Sequence, residues 1–338
     1  MTQSQAIDNL DALGHYLEAQ IDGFHGLKAA EKFGDGQSNP TYLLRADSGD
    51  VVLRAKPPGD LLKSAHQVDR EYRVMQALAV TDVPVPKMLH LAEGDNPLGR
   101  MFFVMQYLPG RIFWDPALPE LDKGERAAIY DAMNQTLAAL HGVDVGAVGL
   151  LDFGYPGNYF ARQTDRWIKQ YRSSAMEPNA DMDRLMDWLL ANMPDDETSR
   201  LVHGDYRLDN MIFAPDRPEV IAVLDWELST LGHPLSDLAY QCMQWRLPYQ
   251  AGMRGLGGLN RADIGLPTED EYVAAYCAKR GIPEIGNWNF YLAFSFFRLA
   301  AILQGVVRRA HDGNASNPQR AREMAQAIPV LAAMANDL

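Results

Sequence analysis

Apolar positions recur at helical spacing near the start of the chain, where Leu10, Leu13, Leu17 and Ile21 predict an amphipathic helix over residues 8–21. The pattern then changes period. Thr41-Tyr42-Leu43-Leu44-Arg45 and Val51–Lys56 read as strands joined by the turn Asp47-Ser48-Gly49-Asp50, and Pro57-Pro58-Gly59 stops the second. Residues 64–79 return to the helical period through Val68, Tyr72, Met75 and Ala79. Val83-Pro84-Val85-Pro86 ends that helix, and a hairpin-like stretch leads into Met101–Met105, a continuous apolar run suited to a central strand. After Leu108-Pro109-Gly110 the composition shifts. The rest reads mostly as helix, over 123–141, 158–173, 181–192, 236–246, 269–280 and 288–310. The pattern predicts an α+β chain of two lobes, strand-rich over 1–108 and mostly helical over 109–338, with a cleft between them.

A length of 338 residues exceeds what one hydrophobic core usually serves, which agrees with two lobes. The net charge of −13 argues against a nucleic-acid or anionic-membrane surface as the main partner. Two cysteines, Cys242 and Cys277, give no disulfide framework, and no Cys/His cluster has the spacing of a zinc site. Met1–Gln20 lack a basic region followed by an apolar core, so a cytoplasmic setting is expected. Phe290–Val307 is the most apolar long stretch, but Arg298 and Gln304 interrupt it, and it reads as a buried core helix rather than a membrane span.

The densest chemistry lies in Leu201-Val202-His203-Gly204-Asp205-Tyr206-Arg207-Leu208-Asp209-Asn210 and in Ile221-Ala222-Val223-Leu224-Asp225-Trp226. An Asp and an Asn five residues apart on a loop, then an Asp ending an apolar run, are the groups that phosphoryl transfer requires. Asp205 is the candidate catalytic base, since a carboxylate must reach the acceptor's hydroxyl proton. Asn210 and Asp225 are the candidate magnesium ligands, offering the hard oxygens that ion prefers. The pattern resembles the catalytic loop of the aminoglycoside phosphotransferase and choline kinase family. That likeness implies the bilobal protein-kinase-like fold, a structural His203 bracing the loop, and Asp237 buttressing it.

Four further groups would hold the nucleotide. Gly34, Gly36, Ser38 and Asn39 sit in a glycine-rich turn leading into Thr41–Arg45, where successive amides can cradle phosphate oxygens. Arg54 stands where the resembled kinases carry a phosphate-holding Lys; it remains positive and can fork two oxygens, while Lys56 on the same strand face is its rival. Glu71 is the matching helix carboxylate. Met105-Gln106-Tyr107-Leu108 resembles the hinge, where adenine would pair with the backbone of Gln106 and Leu108; ATP and GTP are not distinguished.

Only eleven residues separate Asp225 from Asp237, too few for the activation segment of a protein kinase, so a small-molecule hydroxyl acceptor is expected. Within the family, Phe33–Tyr42, Leu53–Gly59 and Leu228–Pro234 resemble the kinase-like domain fused to some acyl-CoA dehydrogenases and its stand-alone bacterial relatives. That branch implies a hydroxyacyl acceptor, carried on CoA or as the hydroxy acid. Arg162, Arg166 and Lys169, at i, i+4 and i+7 of a helix, would suit an anionic acceptor. The alternatives are a nucleotide-binding pseudokinase acting as a regulatory module and an aminoglycoside-type antibiotic phosphotransferase. Oligomeric state is not legible.

Overall fold

The computed structural model describes residues 7, 9–34, 39–58, 67–249, 255–313 and 318–338, with side chains outside 318–323. Packing divides the chain into two units. One comprises Met1–Phe113, Asp144–Leu150 and Leu208–Ser229; the other comprises Trp114–Val143, Leu151–Arg207 and Thr230–Leu338. The composition shift after Leu108 thus lies close to the change at Phe113, while two later segments return to the first unit.

In the first unit, Asn9 caps α1 (Leu10–Gln20) by accepting the Ala12 N–H at 2.9 Å. Five strands, β1 (Leu27–Lys32), β2 (Thr41–Ala46), β3 (Val51–Ala55), β4 (Met88–Ala92) and β5 (Phe102–Gln106), form an antiparallel sheet ordered β1-β2-β3-β5-β4. Side-chain alternation divides its residues between two faces. Leu44, Leu53, Phe102 and Val104 pack with Leu13 and Leu17 of α1 in one apolar cluster. Phe103, on the other face, meets Tyr72 of α2 (Val68–Leu78) with ring centroids 6.2 Å apart. The hairpin of Met211–Phe213 and Val220–Val223 joins this unit through Val223 N–H to Pro84 O and Arg111 N–H to Phe213 O.

The second unit is helical. It contains α3 (Lys123–Gly142), α4 (Tyr159–Ser174), α5 (Ala180–Ala191), α6 (Leu235–Arg246), α7 (Arg261–Ile264), α8 (Glu269–Arg280), α9 (Trp288–His311) and α10 (Pro318–Asn336), with one short pairing of Arg200–Val202 and Thr230–Gly232. Thr268 and Glu271 close a reciprocal capping box at the start of α8. Among the described residues α9 is the one helix long and apolar enough to cross a membrane, yet most of it is buried against α4, α6 and α10. Phe160 of α4 packs against Phe290, Tyr291 and Phe294 at centroid distances of 5.0–5.3 Å, so the aromatic stretch of α9 forms core. Both cysteines are buried free thiols.

Candidate active site

The alternation that turns Leu53 toward α1 turns Arg54 toward α2. There its guanidinium meets Glu71 with Nε 3.0 Å from Oε2, and Nη2 donates to Asp225 Oδ1 at 2.6 Å. Thr41 Oγ1 accepts a longer bond from Nη1 at 3.4 Å. Lys56 faces the same side but reaches Asp69 at 3.8 Å, so Arg54 is the cation the fold ties to the helix carboxylate. Glu71 is 1% exposed, and the buried Asn39 amide donates to its Oε1 at 2.8 Å. The Asn39 side chain is thus a brace on Glu71, a role separate from the phosphate contact expected of its backbone amide.

Two carboxylates pair with this guanidinium, and a third, Glu227, stands close by. Ligand oxygens of Glu71, Asp225 and Glu227 lie within 4.8 Å of one another. Burial, reinforced by the charges of Asp225 and Glu227, lifts the Glu71 carboxyl from 4.5 to about 7 against the pull of Arg54 and Asn39. Burial alone would lower Arg54; the Glu71, Asp225 and Glu227 carboxylates overcome it and hold the guanidinium firmly charged. Clustered hard oxygen donors fit a divalent cation of the magnesium type. Sequence reasoning passed over Glu227, although its place two residues after Asp225 was the available signal.

Asn210 and Asp225 are neighbours because of the hairpin. Met211 pairs with Val223, and Leu224 N–H donates to Asn210 O at 2.8 Å, which sets Asn210 beside the residue preceding Asp225. Asn210 is buried in a single 3-10 turn, Leu208–Asn210. Asp225 adopts a left-handed backbone, φ 62°, which is uncommon outside glycine and readiest for Asn or Asp. The chain is anchored on its far side by fully buried Trp226, whose Nε1 donates to Val223 O at 2.9 Å.

The second unit supplies Asp205. Asp237, at the start of α6, is 1% exposed and accepts the His203 N–H at 2.6 Å and the Gly204 N–H at 2.8 Å; His141 Nε2 lies at 3.3 Å. Burial would raise the Asp237 carboxyl, but the hydrogen bonds of His141 and the backbone reverse the sign and hold it below the usual range. Burial likewise lowers His141, which stays neutral. Gly204 has φ 85°, a conformation that a side chain would strain. Its turn presents Asp205, whose N–H donates to His203 Nδ1 at 3.2 Å, so His203 is a loop brace. Arg207 lies 3.4 Å from the Asp205 carboxylate. Burial, reinforced by the charge of Asp205, pushes the Tyr240 hydroxyl up.

A phosphate-side cation, paired carboxylates beside an amide, and a braced loop aspartate together match one family. Residues 29–272 fit the phosphotransferase enzyme family. The chain belongs to it. The acyl-CoA dehydrogenase family member 10 of Mus musculus is 49% identical over 310 residues, which are 91% of this chain and 29% of that protein. Other curated relatives of this kind are covered to about two fifths, so the chain spans a minor part of each. A crystal structure of a candidate aminoglycoside phosphotransferase from Ralstonia eutropha shares 47% identity and a TM-score of 0.88, covering 96% of both chains. The hygromycin B complex of aminoglycoside phosphotransferase APH(4)-Ia, at 14% identity and a TM-score of 0.61 over 95% of this chain, shares the fold. The protein is a small-molecule phosphotransferase of protein-kinase-like α+β fold.

The other expected residues fall as follows in this phosphotransferase. Gly34 lies in the turn after β1 with φ 36°, while Gly36 and Ser38 lie outside the described residues. Gln106 ends β5 with its N–H given to Lys87 O at 2.9 Å, so a base contact there would use its carbonyl; Leu108 follows just beyond the strand. The basic stripe of α4 is largely engaged within the unit. Arg162 donates to the carbonyls of Tyr155 and Gly157, Lys169 pairs with Asp165 at 2.8 Å, and Arg166 lies over Trp167.

Proposed function

We propose that this phosphotransferase moves the γ-phosphoryl group of ATP to the hydroxyl of a hydroxyacyl compound, carried as a CoA thioester or as the free hydroxy acid. The observation that carries the donor half is Arg54 bridging Glu71 and Asp225: a fixed, forked cation beside clustered carboxylate oxygens suits a triphosphate and its counter-ion. Asn210 and Asp225 would hold magnesium. When bound, that ion supplies charge neutralisation across the phosphate oxygens. Arg54 binds phosphate oxygens, and Glu71 fixes Arg54. Asp205 orients the acceptor hydroxyl and takes its proton as the new O–P bond forms and the bond from γ-phosphorus to the bridging oxygen breaks, releasing ADP. The first unit would thus bind nucleotide and the second the acceptor.

Two observations support an acyl acceptor with an anionic group. The matched relatives carry acyl-CoA dehydrogenase names. In the second unit, a cavity of about 440 Å³ joins apolar walls, Trp245, Leu259 and Phe296, to Arg246, Arg261 and one carboxylate, Asp337. Arg246 is held by Glu269 at 2.6 and 2.8 Å, while Arg261 lies over Trp245 with its buried Nη1 lacking a hydrogen-bond partner among the described residues.

The test is ATP consumption with mass-spectrometric detection of product over a panel of hydroxyacyl-CoA thioesters, free hydroxy acids and aminoglycosides. Wild type should phosphorylate members of the first two groups, and Asp205→Ala should lose turnover by about 10²-fold or more. Turnover of aminoglycosides alone would make the protein a drug-modifying enzyme. Nucleotide binding without turnover of any hydroxyl would make it a pseudokinase.

A further inference from the structure

Arg298 sits in the middle of α9, 8% exposed, and among the described residues it forms no ion pair. A buried cation without a counter-charge is costly and persists where its donors do something specific. Its Nη2 donates to Gly204 O at 2.8 Å. Its guanidinium carbon lies 5.4 Å from the Tyr240 ring centroid and 6.0 Å from that of Trp167. The Trp167 Nε1 has no hydrogen-bond partner among the described residues, so the indole serves Arg298 by its ring face.

The carbonyl that Arg298 grips belongs to the peptide bond leading into Asp205. The N–H of that same peptide donates to His203 Nδ1 at 3.2 Å, and the preceding peptide's N–H, on Gly204, is held by Asp237 at 2.8 Å. Both ends of the Gly204–Asp205 peptide are therefore fixed, the N–H by His203 and the carbonyl by Arg298, while Asp237 holds the peptide before it. The Tyr240 ring that lies near Arg298 also carries a hydroxyl that feels the charge of Asp205.

We propose that Arg298 is a positioning residue for Asp205, setting the plane of the Gly204–Asp205 peptide from α9. The inference rests on Asp205 being the group that faces the acceptor hydroxyl. A glycine with free ψ ahead of the reacting aspartate needs such a second grip, because a displacement near 1 Å costs about 10²-fold in rate.

The experiment compares full-length wild type with Arg298→Lys and Arg298→Ala. Two readouts are taken: hydrogen exchange of the 201–210 peptide, and steady-state kinetics with magnesium-ATP and a phosphorylated member of the acceptor panel. Arg298→Ala should exchange the Asp205 amide faster and lose kcat by about 10- to 100-fold, with KM for ATP unchanged. Millimolar guanidinium ion should restore part of that kcat. Arg298→Lys, which keeps charge without the fork, should fall between the two. If both variants keep wild-type exchange at 201–210 and wild-type kcat per folded molecule, with only thermal stability reduced, Arg298 is a packing residue and the proposal is overturned. If Arg298→Ala does not fold, Arg298→Lys decides alone by the same criteria. If wild type phosphorylates no acceptor, the kinase reading fails, and the exchange readout still decides whether Arg298 holds the peptide.

Discussion

Glu71 and Asp237 are two carboxylates with 1% exposure each, one in each unit, and their proton affinities move in opposite directions. Burial opposes ionisation at both. Asp237 is met by two backbone N–H groups of one loop and by His141 of α3. Glu71 is met by an arginine that Asp225 also claims, with Glu227 close by. Depth therefore does not set the charge of a buried acid; the ratio of donors to competing anions does. Asp237 is a permanent anion that fixes a loop. Glu71 instead shares its arginine with Asp225, beside a further carboxylate at Glu227.

The comparison breaks most sharply at Asp237. Asp237→Ala strands two backbone donors and His141 in the interior, so unfolding in urea should show a loss of about 3–5 kcal/mol, with activity gone. A loss below 1 kcal/mol would mean that the loop does not depend on it. Arg54→Met should behave differently. Glu71 can take up a proton when its cation is removed, so the fold should suffer little while turnover falls by about 10²–10³-fold. Equal damage to stability and rate would erase the distinction.

The sign of the pH dependence sharpens it further. Glu71 binds its proton more tightly folded than unfolded, so its favourable contribution is complete below pH 4.5 and vanishes as pH rises through about 7. Without nucleotide or divalent ion, wild type should lose about 2–4 kcal/mol relative to Glu71→Gln between pH 4.5 and 8. Asp237, held low, contributes above 3.8 and loses that contribution as pH falls further. Denaturation at stepped pH reads both; a flat difference curve for Glu71→Gln would refute the shared-cation account. At the small end, Lys169→Ala removes an ion pair whose side chains are 75% and 61% exposed, and should cost about 0.5 kcal/mol or less.

Much of this was legible in the chain. The spacing of Asp205, Asn210 and Asp225 carried the reaction class because those groups are local to one loop and one hairpin. The strand pattern placed Arg54 and Lys56 on one face but could not choose between them. That choice depends on where α2 sets Glu71, a packing outcome 17 residues away. The glycine-rich surroundings of Asn39 point to its backbone amide, whereas the side-chain bond to Glu71, 32 residues distant, shows only in the fold. Arg298 registered only as an interruption in an apolar run. Its partner Gly204 is 94 residues earlier, and no period or motif reports a contact of that range. Local chemistry shows in a sequence; shared charges and long-range braces require the fold.

The left-handed backbone at Asp225 has a practical consequence for anyone dissecting the metal site. Exchange for alanine would alter two things together, deleting the carboxylate and imposing a conformational penalty of about 1–2 kcal/mol on the turn that carries it. Asparagine tolerates the same dihedral angles and removes only the charge. Asp225→Asn is thus the cleaner probe of electrostatics, and the gap between it and the alanine variant measures what the backbone geometry itself contributes.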